Sequence, residues 1–125
     1  MFAKLHDISV NFGEVRALNN VSLDISPNQI HAIVGENGAG KSTLMSVLFG
    51  LNVNYSGQIF IDKVDKIWTT PSDAIKAGIG MVHQHFMLIE SMTVLENIIL
   101  GSEPNKYMGF LDFQFAEKKL NDLLR

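Results

Sequence analysis

The sequence contains no cysteine, which excludes a disulfide framework, a thiolate zinc cluster and a thiol nucleophile, and which suits a reducing compartment. Nor is positive charge in excess. Ten basic side chains against 13 acidic ones leave a net charge of −3, so the basic footprint with which proteins hold nucleic acid or an anionic membrane surface is missing. No apolar stretch approaches the ~20 residues of a membrane-spanning helix, and the N-terminus lacks a cationic segment followed by a long apolar one. The chain is therefore expected to enter no membrane and to bind no nucleic acid directly. Its expected compartment is the cytosol, with any membrane association made through a partner.

Glycine is concentrated where it has chemical meaning. Residues 35–43 read Gly-Glu-Asn-Gly-Ala-Gly-Lys-Ser-Thr, a complete G-x-x-x-x-G-K-[ST] phosphate loop. Gly35, Gly38 and Gly40 are expected to take left-handed backbone conformations, so that successive N–H groups converge on phosphate oxygens. A helix opening at about Lys41 would add unpaired N–H groups and the positive end of its dipole. Lys41 would reach the β- and γ-phosphates, Ser42 would ligate a Mg²⁺ shared with them, and Thr43 would add a phosphate hydrogen bond. A glycine-rich turn can be purely structural, but here its surroundings favour the site. The apolar run Ile30-His31-Ala32-Ile33-Val34 predicts a strand buried on both faces, within which His31 would be a hydrogen-bonded core residue. Leu44, Val47, Leu48 and Leu51 then recur at the spacing of a core-facing helix that Gly50 ends.

The first third alternates apolar and polar residues, in Ile8, Val10 and Phe12 and again in Val21, Leu23 and Ile25, which predicts strands with one buried face. Pro27-Asn28 predicts a turn, Ser56-Gly57 another, and Gln58 to Asp62 a further strand, together an antiparallel layer. Thr70-Pro71-Ser72-Asp73 opens a short helix ended by Gly78, Ile79 to Val82 reads as a second core strand, and Thr93 with Glu96 caps a helix running to about Leu100. Phe113, Ala116, Leu120 and Leu124 carry helical spacing. Trp68 and the six methionines read as packing or partner surface.

Three features beside the loop resemble an ATP-binding-cassette (ABC) ATPase over nearly the whole chain. Phe12 lies ahead of the loop where that family places an aromatic that stacks on adenine. The family's usual tyrosine would add a hydroxyl, and a phenylalanine in the core is the competing account. Gln84 follows the Ile79–Val82 segment and resembles the Q-loop glutamine, which ligates Mg²⁺, senses the γ-phosphate and leads into the surface facing a transmembrane partner. A solvent-facing loop glutamine is the alternative. The runs Gly78 to Leu88 and Ser91 to Ile98, with Gly101 to Pro104, look most like ATPases of simple-sugar and nucleoside importers.

The resemblance implies an α/β P-loop NTPase fold of the ABC type, an antiparallel layer plus a partial parallel-sheet core with helices. Residues 1–125 would be the N-terminal part of one ATP-binding domain, truncated, with the phosphate loop at 35–43, the Q-loop at about 83–88 and the start of the helical region at about 93–125. It implies ATP and Mg²⁺ as cofactors, held by Phe12, by Gly35, Glu36, Asn37, Gly38, Ala39, Gly40, Lys41, Ser42 and Thr43, and by Gln84. Lys41 and Gln84 would serve the reaction, with Ser42 and Gln84 as metal ligands. Implied partners are permease subunits at the cytoplasmic face of the cell membrane and a second ABC domain in a head-to-tail dimer. Phe86, Met87 and Leu88 would dock a short permease helix or, alternatively, fill core. The family's Leu-Ser-Gly-Gly-Gln-like signature, Asp-Glu strand and switch histidine do not occur in the sequence, so ATP binding with little or no turnover is expected of these residues alone. A non-transport ABC ATPase acting on a macromolecule is the other reading. His83 and His85 flank Gln84 without a third metal ligand, and Asp62 is a weak metal candidate.

Overall fold

The computed structural model describes residues 2–84, 88–104 and 111–124. The chain forms two compact units, Met1–Val82 and His83–Arg125. The first contains β1 (Ala3–Phe12), β2 (Val15–Ile25), α1 (Lys41–Leu48), β3 (Ser56–Ile61), β4 (Val64–Lys66) and α2 (Pro71–Lys76). The second contains α3 (Val94–Ile99) and α4 (Phe113–Leu123).

The four strands make one antiparallel sheet in the order β2-β1-β3-β4. Leu5, Ile8, Val10 and Ile59 are almost wholly buried, although Leu5 and Ile8 are three residues apart and strict alternation would put them on opposite faces. A bulge reconciles them. Asp7 takes φ 52° and Asn20, on β2, takes φ 49°, and the β1–β2 register shifts between Leu5 and Ile8 and again between Ile8 and Val10. Asp and Asn are the side chains that best tolerate this backbone. Their polar neighbours stitch the irregularity, with Asp7 N–H donating to Ser22 Oγ at 2.9 Å and Asn20 N–H to Ser9 Oγ at 2.8 Å. Ser56 and Gly57, expected as a turn, instead open β3 beside this bulge. Gly57 (φ 107°) brings its backbone so close that a Cβ would stand 2.6 Å from the carbonyl oxygens of both His6 and Asp7.

Asp62 (φ 48°) and Lys63 (φ 69°) form the tight turn between β3 and β4, a hairpin geometry with both central residues left-handed. Asp62 Oδ1 accepts from Phe2 N–H at 2.7 Å. Asn28 takes φ 57° in the expected turn after β2.

One face of the sheet packs on α1. Leu44, Val47 and Leu48 join Leu5, Ile8, Val10, Leu18, Ile59 and Ile61 in the core, with Phe49, Trp68 and Ala74 closing it. The predicted stripe holds except at Leu51, which falls beyond the helix end and is 49% exposed.

The two segments expected as buried parallel strands take no strand pairing. Ile30 to Val34 carries no regular secondary structure and is exposed, with Val34 at 92%, and Val82 at the end of the second segment is at 91%. His31 is correspondingly exposed, though its Nε2 accepts from Ser26 N–H at 3.2 Å. The physical reason is that a strand is buried on both faces only when neighbours ladder with its backbone and helices cover it. Among the described residues neither segment has a ladder partner.

Both predicted capping motifs form. Asp73 Oδ2 accepts from Thr69 Oγ1 (2.8 Å), Thr69 N–H (3.0 Å) and Thr70 N–H (2.9 Å) at the head of α2. The Thr69 hydroxyl, then the two N–H groups, hold its carboxyl down at about 2. In the second unit Glu96 Oε2 accepts from Thr93 N–H and Oγ1, both at 2.7 Å, which lowers its pKa. Asn97 ties the preceding loop to α3, exchanging hydrogen bonds with both Ile89 N–H and Ile89 O. Asp112 caps α4 through Phe115 N–H at 3.1 Å, and Ala116 is that helix's buried residue.

Candidate nucleotide-binding site

The loop at 35–43 lies between the exposed Ile30–Val34 segment and α1. Gly38 and Gly40 have φ of 86° and 87°, conformations that side-chain-bearing residues rarely adopt. Gly35 has no positive φ, contrary to expectation, and its absent side chain serves closeness instead. A Cβ there would meet the Ala39 methyl at 3.1 Å. At Gly40 a Cβ would stand 2.7 Å from both the Ala17 carbonyl oxygen and Leu18 Cδ2, so glycine lets the loop lie against β2. Ala39 N–H donates to Glu36 O at 3.2 Å, and Glu36 and Asn37 are exposed at the tip.

Lys41 curls the loop. Its ammonium donates to the carbonyl oxygens of Gly35 and Glu36, both at 2.7 Å, which holds a positive charge over the inside of the turn. Gly40 is the N-cap of α1 and supplies no side-chain hydrogen bond. The first-turn N–H groups are therefore left for an external acceptor, and the helix dipole favours an anionic one.

These features fit a polyphosphate. A Cβ on Gly38 would meet nothing within 4 Å, so the rim is open, and the donors around it are N–H groups, an ammonium and two hydroxyls. Ser42 and Thr43 at the head of α1 also line a cleft of about 390 Å³ with Phe12, Ser46, Leu51 and Asn52. Phe12 ends β1 and is 56% exposed, which removes the core-phenylalanine account. The structure thus brings Phe12, Ser42 and Thr43 to one cleft. Ser46 and Asn52 carry no signal in the sequence, and Leu51 reads there as part of the core stripe. The one signal was Gly50, whose helix-ending role implies that the chain turns back.

Gln84 lies in an exposed bend at the start of the second unit. His85, Phe86 and Met87 lie outside the described residues, and Leu88 is 70% exposed.

Comparison with known proteins carries the assignment further. The family model described as ABC transporter matches residues 18–124. The nucleoside import ATP-binding protein NupA of Lactococcus lactis is 48% identical over 118 residues, 94% of this chain and 23% of its own length. The guanosine import ATP-binding protein NupO of Bacillus subtilis is 47% identical over 112 residues, 90% of this chain and 22% of its own. A solved nucleotide-free ATP-binding cassette from an ABC transporter superposes with a TM-score of 0.81 at 27% identity, covering 98% of this chain and 53% of that one. A dimeric cassette in a post-hydrolysis state, bound to ADP and Pi, gives 0.69 at 29% identity, covering 98% and 55%. The chain thus spans about a quarter of the length of the curated relatives and about half that of the solved cassettes. With the P-loop geometry and a family match across most of its length, the chain belongs to the ABC transporter ATPases.

Proposed function

We propose that the chain is the ATP-binding part of an importer ATPase that couples ATP binding and hydrolysis to uptake of a nucleoside or simple sugar. The observation that carries this reading is the loop itself, with Lys41 held across it by two 2.7 Å hydrogen bonds and Gly38 and Gly40 in left-handed conformations. Relatives named for nucleoside, guanosine and ribose import support the solute class.

In this mechanism the loop N–H groups and the head of α1 bind the phosphates, and Lys41 turns its charge to the β- and γ-phosphates. Ser42, at the head of α1, would hold Mg²⁺, which when bound neutralises charge on the phosphate oxygens. Phe12 stacks on the base, and Thr43 adds a phosphate hydrogen bond. The permease at the cytoplasmic membrane face and a second cassette arranged head to tail are the proposed partners, with Gln84 and the segment after it transmitting the state of the site. Glu36, Asn37 and Ala39 contribute backbone.

The test is titration of the purified chain with a fluorescent ATP analogue and Mg²⁺, wild type beside Lys41→Ala. Saturable binding weakened at least about tenfold in the variant supports the reading, since charge-assisted phosphate contacts are the strong ones. Equal binding by both overturns it. Co-purification of the parent protein with membrane permease subunits, and not with ribosomes or DNA, tests the transport assignment.

A further inference from the structure

The chain that enters α3 is ordered by one side chain of that helix. Asn97 Oδ1 accepts from Ile89 N–H at 2.8 Å, and Asn97 Nδ2 donates to the carbonyl oxygens of Ile89, Met92 and Thr93 at 3.1, 3.2 and 3.0 Å. An amide has two N–H donors, so one of them is shared between carbonyls and the side chain is fully engaged. Ile89 O accepts in addition from Met92 N–H at 3.0 Å, which closes a turn over residues 89–92. The Thr93–Glu96 capping box fixes the same junction at the head of the helix.

Burial does not supply this order. Residues 88–94 are all exposed and α3 has no buried residue, although a six-residue helix is too short to persist on its own. Leu88, Met92, Val94 and Ile98 nevertheless stand around a groove of about 340 Å³, with Asn97 in its wall and Glu90 as its one charged side chain. Exposed loops are ordinarily mobile, and fixing each residue costs conformational entropy. A loop held by polar bonds while its apolar side chains stay in water is ordered in advance, and a partner that docks on it meets that much less entropy loss.

The function proposed above has the segment after Gln84 transmit the state of the site to the permease, which gives the groove an occupant. Apolar walls with a single carboxylate suit a helix face that is apolar and carries one lysine or arginine. We infer that Asn97 is a positioning residue for this contact, an inference that rests on the importer reading. It clamps the turn at 89–93 onto α3, so that the groove keeps the shape that takes the permease helix, with the basic side chain of that helix set against Glu90. Releasing the clamp loosens the docking surface and leaves the phosphate loop, in the other unit, as it was.

The experiment reconstitutes the full-length ATPase with the permease subunits that co-purify with it and titrates ATPase activity against permease. Wild type is set beside Asn97→Ala, the isosteric Asn97→Asp and Glu90→Gln, with ATP affinity and amide exchange at Ile89 measured for each. Both Asn97 variants should speed exchange at Ile89 and need about five- to tenfold more permease for half-maximal activity. Their rate at saturating permease and their ATP affinity should stay within about twofold of wild type, whereas a side chain that only stabilised the fold would lower the saturating rate as well. Glu90→Gln should need about two- to fivefold more permease at low salt and match wild type at high salt. Permease dependence left unchanged by either Asn97 variant or by Glu90→Gln, exchange at Ile89 that does not respond, or ATP affinity that falls in step would each overturn the inference and leave the importer reading standing. Wild-type ATPase that binds ATP and gains no activity from permease would overturn the importer reading and the inference with it.

Discussion

Two sets of apolar residues in the first unit have similar composition and opposite fates. Leu5, Ile8, Val10 and Ile59 lie at 0–1% exposure inside a laddered sheet, whereas Val34 and Val82 stand at 92% and 91% on segments with no ladder partner among the described residues. Hydrophobicity is nearly equal, so the difference is one of backbone pairing and coverage. An antiparallel strand finds its partner across a short turn, as β1 does with β2 and β3 with β4. A parallel strand needs partners brought by distant crossovers. Apolar character marks a segment that can be buried, and topology decides whether it is.

This contrast can be broken by substitution. Ile59→Ala, in the laddered core, is expected to cost about 2–5 kcal/mol in urea-induced unfolding, through lost burial and the cavity left behind. A cost under about 1 kcal/mol would mean that the sheet is not the unit's core. Gly57→Ala should follow at about 1–3 kcal/mol, because φ 107° and two carbonyl oxygens 2.6 Å from the new Cβ force the bulge to move. An unchanged midpoint would contradict the close approach.

A smaller effect belongs to the helix cap. Asp73→Asn should lower the thermal midpoint by a few degrees at neutral pH, as loss of a charged cap does. The pH dependence has a definite sign. Asp73 is depressed from 3.8 to about 2 in the folded chain, so its contribution is present above about pH 4 and is lost as pH falls towards 2. Wild type and Asp73→Asn should therefore converge in stability in acid, and a gap that widens there would refute the assigned hydrogen bonds. Val34→Thr should change stability least, within about 0.5 kcal/mol, as at other exposed positions. A large loss would show that the segment is covered in solution.

The sequence carried the local signals well and the long-range ones unevenly. The phosphate loop, α1 and both acidic caps were legible because each depends on residues within a few positions of one another. Strand pairing was harder. The bulge at Asp7 and Asn20 interrupts alternation, and Gly57 looked like a turn residue because the carbonyls that crowd it come from β1, some fifty residues earlier in the chain. The Asp62-Lys63 turn has no glycine to announce it, so β4 went unread. At the site, Phe12 and the loop could be named in advance. Leu51 could not, because its helical spacing placed it in the core stripe and only the reversal at Gly50 carries it to the cleft.

Amide hydrogen exchange of the chain with and without ATP and Mg²⁺ tests the central claim most directly, since it reports where the ligand sits. The account predicts slowed exchange across residues 36–44, in the loop and the first turn of α1, and no such slowing in Lys41→Ala. Protection confined to other segments, or equal protection in the variant, would contradict it.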